Sequence, residues 1–289
     1  MTQLISPEKF SRTVDLLRSF FLSKGFLEVH TQNRLSILAA CEDPTTVSTY
    51  NYNGQIWPLP QTGQMWLEYE LLTRRSNKGL FCLSTSYRQE PNPVEGRHDT
   101  IFPMFEFEFP GDFDDLLQME VELLNHLGFD SPMLKDYDDW CEYYNTEELT
   151  NEHETKMGEE FGSAFIMNFP NKTSPFWNMS QNEEKTHAKK IDVILGGMET
   201  IGSAERSTSP HEMRHMFEEI SEGGYAKLLY ELFGKKRVDD ELDEFLRHEF
   251  VPRVGGGIGV TRMISALDKL DEKKRKDKME QNLKNMEAA

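Results

Sequence analysis

Apolar residues recur along this chain with two different periods, and each period predicts a different kind of element. Helical spacing over residues 7–23 predicts an amphipathic helix, with apolar positions at Phe10, Val14, Leu17 and Phe21. Residues 79–87 form a strand-like run, and phenylalanines alternate with polar residues over 105–109. A polar loop, 91–96, lies between these runs, so the pattern predicts a long hairpin.

Glycines are concentrated near the end of the chain, after a strand-like run at 249–254 and before a helical pattern at 263–270. The run reads Gly255-Gly256-Gly257-Ile258-Gly259. Backbone without Cβ atoms lets a ligand approach closely. Arg262 follows in the first helical turn, where amide groups and the helix dipole favour an anion. Its guanidinium suits a phosphate or the face of a base. The alternative is a glycine turn closed by a surface arginine.

The predicted hairpin carries a second cluster of polar and aromatic residues around its loop: Arg88, Glu90, Arg97, His98 and Phe102. Two arginines and a histidine beside one aromatic side chain indicate a polyanion site. The alternative is a salt-bridged hairpin, in which each arginine pairs with a nearby glutamate, Glu90 or Glu95.

Composition narrows the class of protein. The 289 residues suit one large α/β catalytic domain, and the net charge of −18 disfavours a nucleic-acid partner. The dense basic run over 273–276 is interpreted as a solvated helix end, and the acidic segment 136–160 as a surface helical insertion. The 3 cysteines have no CxxC spacing, which fits a reducing cytoplasm, and no apolar run has transmembrane length.

Three segments in order resemble the signature motifs of class II aminoacyl-tRNA synthetases. The hairpin cluster is similar to motif 2, the glycine run ending in Arg262 matches motif 3, and the first helix with the segment 25–31 resembles motif 1. Gln32 departs from motif 1, because the family normally has proline there. The resemblance implies a class II synthetase fold, a mixed α/β (α+β) domain with a mostly antiparallel sheet flanked by helices.

The resemblance also implies a domain organisation. One catalytic domain is expected over residues 1–270, with motif 1 at about 7–32, motif 2 at about 80–109 and motif 3 at about 249–270. A charged helical tail is expected over 271–289, and no anticodon-binding domain.

Within the family, the chain resembles the aspartate/asparagine branch. The supporting segments are residues 61–68, 168–179 and 192–206. There are also departures from that branch. Leu67 stands where the aspartate enzymes have lysine, Ile101 replaces a motif 2 glutamate, and Ser203 is displaced by one position from a family serine.

By this resemblance each candidate site residue receives a role. Arg88 and Arg262 are the catalytic cations. The ATP-binding residues are Arg88, Glu90, Arg97, His98, Phe102, Glu199, Gly257, Gly259 and Arg262. Phe102 and Arg262 would sandwich the adenine. Gln61, Gln64 and Arg206 would orient the amino acid, while Asp192 and Glu199 would hold Mg²⁺.

The favoured hypothesis is an adenylate-forming ligase that uses ATP and Mg²⁺ to activate aspartate and lets ammonia displace AMP, giving asparagine. The aspartate/asparagine choice stays open, because Leu67-Glu68 is more typical of the asparagine enzymes. One alternative is a synthetase paralogue that transfers an aminoacyl group to tRNA, a protein or a small molecule. Another is a non-catalytic regulatory subunit. A homodimer built through motif 1 is expected, without membrane attachment and with tRNA binding disfavoured.

Overall fold

The computed structural model of the chain describes residues 4–31, 35–40, 46–90, 93–94, 97 and 99–287, with side chains as far as 285. Three residues named above lie outside the described residues: Gln32, Glu95 and His98. Cys41, one of the three cysteines, also lies outside them.

The described helices are distributed along the whole chain. They are α1 Pro7–Ser23, α2 Gln64–Thr73, α3 Phe113–Leu127, α4 Tyr137–Tyr144, α5 Asn151–Phe161, α6 Pro210–Glu219, α7 Gly224–Phe233, α8 Lys235–Leu246 and α9 Val260–Glu287. The described strands are β1 Leu27–Glu28, β2 Thr49–Tyr52, β3 Gln55–Pro58, β4 Leu80–Tyr87, β5 Ile101–Pro110, β6 Met133–Asp136, β7 Ser163–Pro170, β8 His187–Leu195, β9 Met198–Glu205 and β10 Arg253–Gly259.

An eight-stranded sheet organises the molecule, in the order β1-β4-β5-β10-β9-β8-β7-β6. Its strands run antiparallel except at the two edges, where β1 pairs with β4 and β6 with β7 in parallel. A separate hairpin joins β2 and β3. The predicted mixed fold with a mostly antiparallel sheet flanked by helices is therefore confirmed.

One face of the sheet is apolar, and helices α1, α3 and α9 contribute to the core that covers it. Phe21 of α1 stacks on Phe105 and Phe107 of β5, with ring centroids 5.3 and 5.1 Å apart. Helix α1 has the predicted bounds because Ser6 caps it, with its side chain accepting from the Lys9 backbone N–H at 3.3 Å.

The opposite face of the sheet is polar, because side chains alternate between the two faces along each strand. The register places Glu106 of β5 beside Gly257 of β10, Gly202 of β9 and Asp192 of β8 in one row. A neighbouring row carries Glu108, Gly255, Ala204 and Lys190. The two glycines of the first row, Gly257 and Gly202, carry no side chain above the sheet.

A second apolar cluster joins α2 with helices α6, α7 and α8, and its fully buried centre is Trp177. This cluster fixes the position of α2, whose first residue, Gln64, reaches the polar face. Helices α4 and α5 form a third apolar cluster with β7, around Trp140, which is also fully buried.

Three sequence predictions need correction. The strand near residue 250 is β10, so the glycine run forms the strand itself and is not a turn after it. The segment 136–160 is partly interior, because Tyr137, Trp140 and Met157 are buried. The apolar stripe of α1 packs inward, so it is not a free surface for a partner. In addition, α9 extends without a break from motif 3 into the charged tail.

No helix among the described residues is both long and apolar enough to cross a membrane.

Candidate active site

A cavity of about 610 Å³ lies over the polar face of the sheet. Its lining includes every predicted site residue that the structure describes except Asp192: Gln61, Gln64, Arg88, Glu90, Arg97, Phe102, Glu199, Arg206, Gly257, Gly259 and Arg262. Residues as far apart in the sequence as Gln61 and Arg262 therefore meet in one pocket.

The glycines of β10 are required by the close packing of the surrounding strands. A Cβ at Gly255 would lie 1.9 Å from Oε2 of Glu108, and one at Gly256 would lie 2.5 Å from the Gly202 carbonyl oxygen. A Cβ at Gly257 would meet the Met104 side chain at 2.6 Å. Close packing therefore requires glycine on both faces of β10, and Gly257 also forms part of the pocket floor.

Two arginines from distant elements meet at one end of the pocket. Arg262 donates from Nη1 to the Glu199 carbonyl at 2.7 Å and from Nη2 to the Arg97 carbonyl at 3.2 Å. Arg97 in turn donates to Glu154 of α5 at 2.5 Å and to the Gly197 carbonyl at 3.2 Å. No sequence pattern indicates Glu154, which lies in the acidic segment 136–160.

The hairpin residues form one wall of this end. Arg88 follows β4, and its guanidinium carbon lies 5.8 Å from the centroid of the Phe102 ring. The Arg88 backbone N–H donates to the Thr100 carbonyl at 2.8 Å, which closes the hairpin base. Glu90 lines the pocket nearby.

Arg206 lies at the other end of the pocket, and its charge is already paired. It is 2% exposed and donates to both carboxylate oxygens of Glu108 at 3.3 Å and to the Gly255 carbonyl at 2.8 Å. Gln64, with its amide oxygen turned toward the guanidinium, accepts from Nη1 of Arg206 at 2.9 Å. Burial raises the pKa of Glu108 to about 7, although Arg206 acts in the opposite direction.

Gln61 is 1% exposed and donates to the Thr46 hydroxyl at 2.6 Å. Its Oε1 has no hydrogen-bond partner among the described residues. A buried amide oxygen without a partner suits a ligand that donates a hydrogen bond.

Glu106 is a pocket carboxylate that the sequence analysis did not single out. It is buried and accepts from the Gly63 backbone N–H at 2.9 and 3.0 Å and from the hydroxyls of Thr62 and Ser84. Only the alternation along β5 could have indicated it, since Glu106 and Glu108 interrupt an aromatic run.

The two predicted metal carboxylates converge on Gly202. A Cβ at that glycine would lie 3.0 Å from Glu199 Oε1 and 3.5 Å from Asp192 Oδ1. Asp192 Oδ1 is buried and has no hydrogen-bond partner among the described residues, while Oδ2 accepts from Lys190 at 2.8 Å. Burial raises the pKa of Asp192 to about 8, and Lys190 offsets part of that effect.

Among the described residues, no three His, Cys, Asp or Glu side chains form a metal cluster. Two hard oxygen donors nevertheless fit Mg²⁺, because that ion is commonly held by one or two carboxylates together with substrate phosphates. The free oxygen of Asp192 and the nearby Glu199 oxygen are therefore a suitable pair.

Comparison with known proteins gives the decisive match. A family model described as class II tRNA synthetases (D, K and N) matches residues 7–274. The chain belongs to this family. The family prediction made from the motifs is confirmed.

Relatives within the class II tRNA synthetases come from both halves of the aspartate/asparagine branch. The chain is 25% identical over 252 residues to an aspartate–tRNA(Asp/Asn) ligase of Methanopyrus kandleri, covering 72% of this chain and 57% of the relative. It is 24% identical over 290 residues to an asparagine–tRNA ligase of Desulforamulus reducens, covering 88% of this chain and 63% of the relative. The chain thus spans roughly three fifths of the length of these relatives.

A solved class II synthetase has the same fold. The asparaginyl-tRNA synthetase from Pyrococcus horikoshii, complexed with asparaginyl-adenylate, superposes with a TM-score of 0.74 at 20% identity. The match covers 91% of this chain and 65% of that one.

The structure shows where the residues that depart from the aspartate/asparagine branch lie. Leu67 is fully buried in a cluster with Leu71 and Cys82, so it makes no part of the pocket lining. Lys190 lines the pocket instead, from β8. Ile101 is 56% exposed at the start of β5, and Ser203 points to the core side of the sheet.

Proposed function

We propose that this chain activates an amino acid of the aspartate/asparagine type by joining it to ATP as an aminoacyl-adenylate. The observation that carries the proposal is the pocket itself. Its glycine floor lies between Arg88, Arg97 and Arg262 at one end and Arg206 with Gln64 at the other. Such an arrangement suits a triphosphate and a small amino acid placed in line over one bare stretch of backbone.

The nucleotide belongs at the end with the three arginines. Phe102 and Arg262 offer a ring and a planar guanidinium for the adenine, and Glu90 offers a carboxylate for its amino group. Gly257 and Gly259 leave room for the base and phosphates. Arg97 donates to Glu154, and Arg262 donates to two backbone carbonyls. Both arginines would exchange these partners for phosphate oxygens.

Asp192 and Glu199 are the residues that would hold Mg²⁺, which when bound would neutralise phosphate charge and polarise the phosphoryl group. Glu199 lies 3.7 Å from Arg262, and oxygens of both carboxylates lie beside Gly202.

The reaction needs a carboxylate oxygen of the amino acid to attack the α-phosphorus of ATP while the bond to the bridging oxygen of the β-phosphate breaks. Pyrophosphate leaves and the adenylate remains. Arg88 would stabilise the charge that develops on the α-phosphate. At the other end, Glu106 offers a negative charge for the substrate ammonium group, and Gln61 and Gln64 orient the amino acid through their amides.

We further propose that ammonia is the acyl acceptor. Its nitrogen would attack the acyl carbon, the bond from that carbon to the phosphate oxygen would break, and AMP would leave as the nitrogen loses a proton. From aspartate activated at its side chain, the product is asparagine. The net charge of −18 supports a small acceptor over a polyanion.

The C-terminal basic run also favours a small acceptor, because three of its four cations have local partners. Lys273 pairs with Asp130 at 3.1 Å, Lys274 donates to the Gly128 carbonyl at 2.9 Å, and Arg275 donates to the Asp271 carbonyl at 3.3 Å. The second candidate acceptor is tRNA, which is favoured by the names of the relatives, since these are tRNA ligases.

Pyrophosphate exchange into ATP tests the activation step. With Mg²⁺, ATP and single amino acids, exchange is expected with aspartate or asparagine and not with the other amino acids. Absence of exchange with all of them would contradict activation and favour the regulatory-subunit alternative. Mass spectrometry of products with ammonium or with tRNA then identifies the acceptor: free asparagine and AMP support ammonia, and aminoacyl-tRNA supports the synthetase alternative.

A further inference from the structure

Lys190 is a pocket cation that neither the motifs nor the family roles account for. We propose that Lys190 and Arg206 together bind the carboxylate of the substrate that does not react, which makes the pocket selective for aspartate over asparagine. This inference rests on the proposed function, because it names the substrate class of the same pocket.

The sheet register places the two cations on the same face. Lys190 of β8 lies directly opposite Ala204 of β9, and Arg206 follows Ala204 by two residues. Both side chains line the same cavity over the polar face of the sheet.

The surroundings of Lys190 direct its ammonium group into the pocket. Its Nζ lies 4.1 Å from the centroid of the Phe169 ring and 2.8 Å from Asp192 Oδ2, and the side chain is 24% exposed. Phe169 also lines the pocket. An ammonium group has three N–H donors and can bind two carboxylates at once. A substrate carboxylate is thus compatible with the contact to Asp192.

Charge explains why a second cation matters. Arg206 and Glu108 form a buried pair that is neutral as a unit, and the Glu106 carboxylate lies in the next row of the same face. A substrate carboxylate placed beside Arg206 therefore meets two protein carboxylates as well. The Lys190 ammonium offsets that repulsion for a carboxylate, whereas an uncharged amide gains far less from it.

No cation reaches this end of the pocket from α2, because Leu67 is fully buried in the core. Recognition of the second carboxylate has in this chain moved to β8. An acid with two carboxylates satisfies both needs of the pocket, since one carboxylate attacks the α-phosphate and the other pairs with Arg206 and Lys190.

The test compares Lys190→Met with Lys189→Met. Lys189 is the adjacent lysine on the opposite face of β8, where it binds Glu205 at 2.9 and 3.0 Å. In pyrophosphate exchange, Lys190→Met should raise the KM for aspartate roughly tenfold or more. It should leave the KM for asparagine and for ATP within about twofold. Lys189→Met should change none of them, and Lys190→Arg should keep most of the preference for aspartate.

Equilibrium titration of each variant with aspartate and with asparagine, in the absence of ATP, gives the same comparison without any dependence on catalysis. An unchanged ratio of aspartate to asparagine affinity in Lys190→Met would overturn the inference and leave Lys190 with the single role of neutralising Asp192. A wild-type protein that shows no exchange but binds aspartate in preference to asparagine, with loss of that preference in Lys190→Met, would contradict the proposed reaction and support the inference.

Discussion

Arg97 in the motif 2 loop and Glu154 on α5 form an ion pair with a nitrogen–oxygen distance of 2.5 Å. Glu154 also accepts from the Glu199 backbone N–H at 3.0 Å. One carboxylate therefore fixes an arginine proposed to bind phosphate and the backbone of a proposed metal ligand. Burial raises the pKa of Glu154, with Glu199 contributing in the same direction.

This pair must open for Arg97 to bind a phosphate, so Glu154 competes with ATP. Glu154→Gln keeps the shape and removes the competing charge, and the Kd for ATP should fall about twofold to fivefold. Calorimetric titration with ATP measures it. Glu152→Gln, an exposed carboxylate on the same helix, is the control and should leave the Kd unchanged. Weaker ATP binding in Glu154→Gln would show that the carboxylate organises the site instead of competing with the nucleotide.

Arg262 is the cation whose loss should be most damaging. Arg262→Ala removes a stacking surface and a phosphate contact together, and exchange of pyrophosphate should fall about 100-fold or more. Arg275→Ala, further along α9, removes an equivalent charge far from the pocket and should retain wild-type exchange. Wild-type exchange in Arg262→Ala would show that the motif 3 assignment is wrong.

Stability should depend on pH through Glu120, a fully buried carboxylic acid of α3. Burial raises its pKa to about 8, although the Ser203 hydroxyl acts in the opposite direction. The native state keeps this proton while the unfolded chain loses it near its ordinary pKa of 4.5. The contribution of Glu120 to the free energy of unfolding is thus complete below pH 4.5 and is lost as pH rises to about 8.

Glu120→Gln should remove this dependence, in which the free energy of unfolding falls by about 1 kcal/mol per pH unit within that window. Urea unfolding at several pH values measures it. Glu122→Gln on the same helix is the control, because Lys24 lowers the pKa of that half-buried carboxyl, the opposite direction to the shift at Glu120. Equal slopes for wild type and Glu120→Gln would contradict the prediction.

Gly256 lies where β10 packs against β9, and its substitution tests the packing account of the glycine run. Gly256→Ala would place a Cβ 2.5 Å from the Gly202 carbonyl oxygen and should lower the free energy of unfolding by about 1–3 kcal/mol. Gly224→Ala is the contrasting control, since its Cβ would meet only Ser221 at 3.8 Å in a helical conformation. That variant should be unchanged or more stable by about 0.4–1 kcal/mol.

A homodimer remains a prediction, and the inward packing of α1 changes the surface that would form it. Leu22 at the end of α1 and Leu27 in β1 are 55% and 54% exposed. Light scattering should report about twice the chain mass of 33.6 kDa. Leu27→Glu should shift the protein to the chain mass, while Leu283→Glu, equally exposed on α9, should not. A monomeric wild type would contradict the prediction.

Local patterns in the sequence were sufficient for much of this fold. The apolar spacing predicted α1 at its observed bounds, and alternation in the phenylalanine set predicted the hairpin of β4 and β5. The residues of motifs 2 and 3 are predictable from the sequence because each motif lies within one short stretch of chain. Such patterns depend on the period of one element and need no knowledge of its neighbours.

Only the tertiary structure decided which distant side chains meet. Glu154 and Lys190 carry no local signal, and they enter the pocket through the packing of α5 and the register of β8. The glycine run also looked like a turn, because its short-range composition is that of a turn. Its role as a strand follows from Glu108 and Ser203 on the strands either side, which leave no space for a Cβ. Contacts between strands that are distant in the sequence depend on register, which no local period specifies.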